Sequence, residues 1–567
     1  MMKMLPYGKS DYETLIENEY YYVDKTKFIE KLENLPETYI MFLRPRKFGK
    51  TLFTSALENY YDIKKVDKFE KLFGNTYIGK NSTKLKNSYY ILKFNFSGIN
   101  TNSEETTMDD FKGVVAMSID KFVRKYNLEF DINPNLSVSL LLNSLIETFE
   151  VQRPEDKIYV IIDEYDHFAN ELLSFNTNQF KSLVSKNGQV RKWYEILKKG
   201  TESVIDRIFI TGVAPITLDS LTSGFNIVSD ITRNRLFNEM MGFTTEELLQ
   251  MMEDIGIDKK EQKELLPIMK ENYDGYRFST KGVEKMYNSN MCLYFLKDYV
   301  QFREIPEQLI DTNIASDYKK LGNMLDLCKG EEREKIIEKT VSGEGIVSEI
   351  TEKFNPAMEF GKKELVSLLF YLGYLTIAND VAGYPELGIP NKVMKEIYSD
   401  YFLKVLRDEI KLEVEEDYSE IATQIALEGK IDKIVEVMKR YLENLSNRDY
   451  MKFDEKYVKL IFYCIAMNLK IFRLKSEMEV QRKYPDILLI PKDRDKGYHA
   501  VMLEFKYLKK GEENKLQEKQ EEARRQIEEY AEFEEIKAIQ NLHKYTVIAV
   551  NDKLYVEDRN KFKSYLG

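Results

Sequence analysis

Gly49-Lys50-Thr51 close the run Arg44-Pro45-Arg46-Lys47-Phe48-Gly49-Lys50-Thr51. A phosphate is held by backbone N–H groups converging at a helix N-terminus, with a mobile cation to match its charge. Gly49 allows close backbone approach, Lys50 would contact the β- and γ-phosphates, and the Thr51 hydroxyl would bind Mg²⁺. The usual pattern opens on a glycine, and Arg44 stands there instead. A chance Gly-Lys-Thr at a helix start is the bland alternative; a strand before it and a helix after it weigh against that.

Such a loop needs an acidic partner. Ile158–Ile162 is an apolar run followed by Asp163-Glu164. Asp163 would hold Mg²⁺, through water or through Thr51, and Glu164 would polarise the attacking water. Without the loop, a surface acid pair would be the better reading; with it, an ATP site using Mg²⁺ is expected. Thr211 ends a further strand before Gly212 and is a candidate γ-phosphate sensor, with a strand-end turn as the rival reading. Arg233 and Arg235 could reach a phosphate in cis or in a neighbouring copy, against the favoured reading of a surface salt bridge.

A second set lies near the C-terminus. Tyr484-Pro485-Asp486 opens an apolar strand, and after a polar turn a second strand ends in Leu503-Glu504-Phe505-Lys506. Residues i and i+2 of a strand share a face, so Glu504 and Lys506 project together. If the two strands form a hairpin, Asp486 approaches Glu504. Two carboxylates and one lysine can hold Mg²⁺ and activate water beside a scissile phosphate, with Lys506 stabilising the developing charge. Glu455 on a preceding helix could add a third acid; Glu477 and Glu479 are rivals for that place. Gln526 on a later helix could face the site or simply be solvated.

The elements that would position these groups follow from hydrophobic periodicity. Strands are expected at Tyr39–Leu43, Tyr90–Phe96, Ile158–Ile162 and Arg207–Ile210, and helices near Lys50–Tyr61, Met108–Tyr126 and Ser137–Phe149. Strands alternating with helices imply crossovers and a parallel sheet. From about Thr244 to Tyr450 the pattern turns mainly helical, with amphipathic runs at Glu246–Glu253 and Lys362–Leu372. Tyr374–Ile377 is a candidate short strand there. In the last stretch a helix over Glu455–Asn468 precedes strands at Ile471–Leu474, Asp486–Ile490 and Ala500–Phe505, a charged helix over Glu512–Tyr530 and a strand at Tyr545–Val550. The division expected is 1–243, 244–450 and 451–567, the middle part serving as lid and connector.

A chain of 567 residues is too long for one core. Three cysteines and three histidines, without ligand spacing, argue against a structural zinc site and a disulfide framework. The start MMKMLPYGKSDYE has no apolar run, and no stretch approaches the ~18 apolar residues of a membrane span, so a cytoplasmic protein with no membrane partner is expected. A net charge of −11 argues against a highly basic nucleic-acid coat but leaves room for a local basic groove.

The sequence resembles bacterial AAA-like ATPases fused to a PD-(D/E)XK nuclease-superfamily domain. The N-terminal marks are LPYGKSDYETLIENEYYYVDKT, RPRKFGKT, VIIDEYD and ITGVAPI; the C-terminal ones are YPDILLI, MLEFK and RRQIEEY. The family's phosphate loop commonly reads RPRRFGKS, so Arg44 matches a family habit. The resemblance implies a five-stranded ATPase core, a helical or winged-helix lid and a restriction-endonuclease-like α/β domain. It carries Lys50, Thr51, Asp163 and Glu164 onto the ATP site, and Asp486, Glu504 and Lys506 onto the nuclease core. Tyr484-Pro485 stands where the family has Gly-Arg. The implied partners are nucleic acid, DNA ahead of RNA, and a second copy of the chain if an arginine acts in trans. An ATP-gated nuclease is the first functional expectation. An ATP-switched module that binds nucleic acid or protein without cutting is the second, and a degenerate protein that does not turn over ATP is the third.

Overall fold

The computed structural model describes residues 3–169, 188–216, 226–281, 283–311, 321–328, 331–354, 361–412, 416–446, 455–476, 484–493, 495–509, 511–550 and 553–560. The chain divides into two compact units, Met1–Arg333 with Gly345–Val393, and Glu334–Glu344 with Met394–Gly567.

The first unit is built on five parallel strands in the order β2-β3-β4-β1-β5: β1 (Tyr39–Leu43), β2 (Tyr90–Asn95), β3 (Ile158–Asp163), β4 (Ile205–Gly212) and β5 (Ser229–Asp230). Every residue of β3 is buried, which is why it reads as a continuous apolar run rather than an alternating one. Helix α1 (Lys50–Tyr61) follows β1, while α2 (Glu104–Tyr126) and α3 (Val138–Gln152) connect β2 to β3. Ser103 caps α2 and Ser137 caps α3 through their hydroxyls, satisfying N–H groups that a helix start leaves unpaired. Helix α4 (Gln189–Gly200) brings Trp193 into an aromatic cluster with Phe94, Phe96 and Phe111.

Beyond β5 the first unit is mainly helical. Helices α5 (Thr245–Asp254) and α6 (Lys259–Tyr273) each open on a reciprocal cap, Thr244 with Glu247 and Asp258 with Glu261. Helix α7 (Ser289–Phe302) is capped by Asn288, and α8 (Lys362–Leu372) lies in the chain between the first and second strands of a small antiparallel sheet in the order β6-β8-β7. Its strands are β6 (Ile346–Val347), β7 (Thr376–Val381) and β8 (Tyr384–Gly388). The strand expected at Tyr374–Ile377 thus begins two residues later and pairs in a hairpin that the sequence alone did not suggest.

The second unit carries helices α9 (Tyr418–Glu428), α10 (Asp432–Ser446) and α11 (Glu455–Met467) and a mixed sheet ordered β13-β12-β11-β10-β9. The strands are β9 (Phe472–Lys475), β10 (Ile487–Pro491), β11 (Ala500–Leu508), β12 (Leu542–Val550) and β13 (Lys553–Asp558), and α12 (Leu516–Ala531) precedes β12. β10 and β11 are antiparallel, with Ile487 opposite Leu503, so the hairpin expected from the sequence forms; β11 and β12 run parallel. Ile527 and Tyr530 of α12 pack with Tyr484, Leu488 and Met502, and Ala523 with Leu508 and Ile548. Among the described residues, no helix is long and apolar enough to cross a membrane.

Candidate functional site

The loop between β1 and α1 is shaped by two left-handed residues, Lys47 at φ 68° and Gly49 at φ 94°. Gly49 is the position where a side chain would be strained, and it turns the chain into α1. Arg44, in place of the customary glycine, is 1% exposed. Its guanidinium donates to the carbonyls of Leu43 and Thr232 at 2.9 and 2.8 Å and of Phe237 at 3.0 Å. It lies between the Phe42 and Phe278 rings, 4.0 Å from each centroid. Burial holds its pKa well below the ordinary guanidinium value, with Asp230 opposing. The loop is therefore tied at its root by a buried cation.

Lys50 Nζ donates to the carbonyls of Arg44 and Pro45, both at 3.2 Å, and stands 3.7 Å from Glu164 Oε1. Asp163 ends β3 opposite Asn95 of β2, whose amide reaches Asp163 Oδ2 at 3.4 Å. The other Asp163 oxygen is buried without a hydrogen-bond partner. Burial and the neighbouring Glu164 raise the Asp163 pKa, against Lys50 and Thr51. Glu164 shows the opposite outcome: burial would raise its pKa, but Lys50, His167 and Arg46 outweigh it and hold it below the usual value. Its φ of 54° marks the turn where β3 ends.

Asp166 accepts from the N–H groups of Val213 and Ala214 at 3.0 and 2.7 Å, tying the end of β3 to that of β4. Burial and Glu164 push its pKa up to about 6. A Cβ on Gly212 would lie 2.1 Å from Asp166 Oδ1, so only glycine fits there.

A cavity of about 610 Å³ opens above the loop, lined among others by Lys9, Arg46, Lys50, Thr51, Asn95, Glu164, His167 and Ser289. Thr211 is not brought to it: it is fully buried, and its hydroxyl donates to the Phe42 carbonyl at 2.9 Å. Arg233 pairs with Glu352 at 3.6 Å. Asn95, Arg46, His167 and Ser289 escaped the sequence reading. Asn95 lay next to the last residue of the strand expected at Tyr90–Phe96, and only the pairing of β2 with β3 sets it beside Asp163; Arg46 was signalled by its place inside the loop.

In the second unit the hairpin register puts Asp486 one step beyond the Ile487–Leu503 pair, opposite Glu504. Asp486 Oδ2 accepts from Phe505 N–H at 2.7 Å. Lys506 Nζ lies 2.9 Å from Glu504 Oε1, while Glu504 Oε2 is buried without a partner. Burial first, then Asp486, raises the Glu504 carboxyl to about 7, with Lys506 opposing. Glu455 comes to the same place: its Oε2 accepts from Tyr507 N–H at 3.4 Å. Between it and Asp486 sits Lys459, 2.9 Å from Glu455 Oε1 and 2.8 Å from Asp486 Oδ1. The sequence reading missed Lys459, although its i+4 spacing from Glu455 was visible. Glu477 and Glu479 lie outside the described residues. Gln526 sits on α12 with its buried Oε1 unpartnered. Among the described residues, no group of three or more His, Cys, Asp or Glu side chains is preassembled as a metal cage. The cluster consists of three carboxylates, Asp486, Glu504 and Glu455, and two lysines, Lys459 and Lys506.

Both sets are chemically fit for a divalent ion. Each presents a buried carboxylate oxygen that lacks a donor, on Asp163 and on Glu504, and such an oxygen is costly to leave unsatisfied.

The first unit has the parallel sheet and strand–loop–helix arrangement of a P-loop nucleotide-binding protein, and the second the mixed sheet of a restriction-endonuclease-like fold. Residues 6–222 match the family described as "Predicted AAA-ATPase", and residues 453–559 match the PD-(D/E)XK nuclease superfamily. The chain is a fusion of an AAA-ATPase-like region with a PD-(D/E)XK nuclease-superfamily domain. A curated relative, "Uncharacterized protein in vnfD 5'region" of Azotobacter chroococcum mcd 1, is 23% identical over 378 residues, or 66% of this chain. The match covers 64% of that relative's length, less than two thirds.

Proposed function

We propose that this protein binds and hydrolyses ATP with Mg²⁺ in its first unit, and that this gates Mg²⁺-dependent cleavage of nucleic acid, DNA first, in its second. The observation that carries it is the convergence of Asp486, Glu504 and Lys506 at the open end of one hairpin, with Glu504 Oε2 left without a donor.

At the loop, Lys50 and Thr51 would hold the β- and γ-phosphates and their Mg²⁺, Gly49 lets the backbone approach, and Asp163 completes the ion's ligands. Glu164, kept ionised by Lys50, would accept a proton from the attacking water. Thr211 acts as a γ-phosphate sensor in this reading only if its hydroxyl leaves Phe42. In the second unit Asp486 and Glu504 would hold the ion, and Lys506 would orient the nucleophile and stabilise the charge growing on phosphorus-bound oxygen. A divalent ion, when bound, supplies Lewis acidity and lowers the pKa of water. We assign 1–243 to the ATPase, 244–450 to a lid and connector and 451–567 to the nuclease-like domain. The cytoplasm is the compartment this reading implies, and a homo-oligomer is the assembly in which an arginine could act in trans.

The alternative, an ATP-switched module that binds without cutting, is favoured by Tyr484-Pro485 before the strand aspartate and by the lysine already seated on Asp486. The test is incubation with Mg²⁺ and varied nucleic acids, with and without ATP. Cleavage that needs ATP and is lost in Asp486→Ala supports the first reading. Binding that survives Glu504→Ala, with no cleavage by wild type, selects the second.

A further inference from the structure

Helix α11 is apolar from Val458 to Met467 except at Lys459, its one charged residue beyond the first turn. Lys459 is not spent on the surface. Its ammonium bridges Asp486 Oδ1 and Glu455 Oε1 at 2.8 and 2.9 Å. The other Asp486 oxygen is taken by Phe505 N–H. A divalent ion that takes Asp486 Oδ1 must therefore share it with Lys459. Beside it, Glu504 Oε1 is held by Lys506 and Oε2 has no partner.

Charge balance says what this does. With all groups ionised, three carboxylates and two ammonium groups leave one net negative charge. A divalent ion added with Lys459 in place makes the cluster positive; with Lys459 withdrawn, the cluster is neutral. Metal–oxygen distances of about 2.0–2.6 Å on Asp486 Oδ1 would put the two cations within a few ångströms of each other in a poorly solvated place, where repulsion is strong. Lys459 has somewhere to go, since its side chain is 19% exposed whereas that of Asp486 is 4% exposed.

Resting on the cleavage reading above, we propose that Lys459 is a resident cation of the acid pair: it competes with the divalent metal for Asp486, turns aside when metal enters and so sets the metal affinity of the site. It is a positioning residue that acts through Asp486.

The experiment is calorimetric titration of Mn²⁺ into the full, nucleotide-free chain for wild type, Lys459→Met, Lys459→Gln and Asp486→Asn, with folding of each checked by its unfolding curve. The relevant binding is the part lost in Asp486→Asn. Both neutral Lys459 variants are expected to bind Mn²⁺ roughly tenfold tighter or more than wild type, because a repelling charge is gone. In the wild type itself, saturating Mn²⁺ is expected to speed reductive methylation of Lys459, a readout that needs no variant to fold. Equal or weaker Mn²⁺ affinity in the folded variants, or methylation indifferent to Mn²⁺, overturns the competition while leaving Asp486-dependent binding in place. No Asp486-dependent binding in any of the proteins removes both this inference and the metal site on which it rests.

Discussion

Lys50 Nζ stands 3.7 Å from Glu164 Oε1, so the lysine of the phosphate loop also sets the charge of the acid at the end of β3. Two effects compete at Glu164. Burial favours the neutral acid; the positive field of Lys50, His167 and Arg46 favours the carboxylate and wins. In the role proposed for it, Glu164 is thereby kept ready to take a proton. The same pair helps to keep the lysine placed, together with the loop carbonyls of Arg44 and Pro45 to which Nζ donates.

Glu164→Gln keeps the shape and removes the base. ATP binding is expected to persist while hydrolysis falls by about 10²–10⁴-fold, the usual worth of a positioned general base. Phosphate release and nucleotide binding, measured separately, check it. Loss of both together would mean that Glu164 shapes the pocket rather than serving the reaction.

Arg44→Gly would restore the customary glycine of the loop, and it is expected to damage the protein. The guanidinium satisfies the carbonyls of Leu43, Thr232 and Phe237 and fills the space between Phe42 and Phe278. Loss of donors from buried carbonyls, with a cavity left behind, should cost on the order of 2–4 kcal/mol. Denaturant unfolding measures it; a variant as stable as wild type would show that the buried cation is dispensable.

The sequence carried the local parts of both sites and not the long-range ones. Gly49, Lys50 and Thr51 sit together in the chain, and the acids at the end of β3 follow an apolar run that could only be a buried strand. Glu504 and Lys506 were legible because strand periodicity puts i and i+2 on one face, and Asp486 because a short polar turn makes a hairpin. The role of Arg44 was not legible, since its acceptors at Thr232 and Phe237 are far along the chain. Thr211 looked like a sensor because it ends a strand. Which face its hydroxyl takes depends on pairing with β1, where it meets Phe42. The two-residue β5 and β13, which has no buried residue, carry too little apolar pattern to be seen.

Asp166 gives the fold a pH dependence. Its carboxyl is raised from 3.8 to about 6 by burial and by Glu164, against the N–H groups of Ala214 and Val213. The folded state thus holds this proton more tightly than the unfolded state does. Its contribution to stability is therefore largest below about pH 4, declines as pH rises to about 6 and is level above that. Asp166→Asn removes the titration, though it also weakens acceptance from Val213 and Ala214 by about 1–3 kcal/mol. Unfolding curves at several pH values between 4 and 7 are expected to show a shallower slope in the variant than in wild type. Parallel slopes would place the titrating group elsewhere.

Asp486 is held in two ways, by Phe505 N–H at 2.7 Å and by Lys459 at 2.8 Å. Asp486→Asn can keep the first contact through its amide oxygen, so the open end of the hairpin should stay in register. The second loses its charge, and Lys459 keeps its contact with Glu455. The expected stability loss is about 1–3 kcal/mol, the cost of weakening one partly buried charge-assisted contact. The functional loss is larger: cleavage should fall by at least about 100-fold, since an amide is a poor ligand for a hard divalent ion. The groups at the phosphate loop are untouched, so ATP hydrolysis without nucleic acid should match wild type. Lys506→Met supplies the contrast. It leaves both metal carboxylates in place, so Mn²⁺ binding should survive while cleavage is lost. If Lys506→Met abolishes Mn²⁺ binding as fully as Asp486→Asn does, Lys506 holds Glu504 in position and does not serve the reacting phosphate.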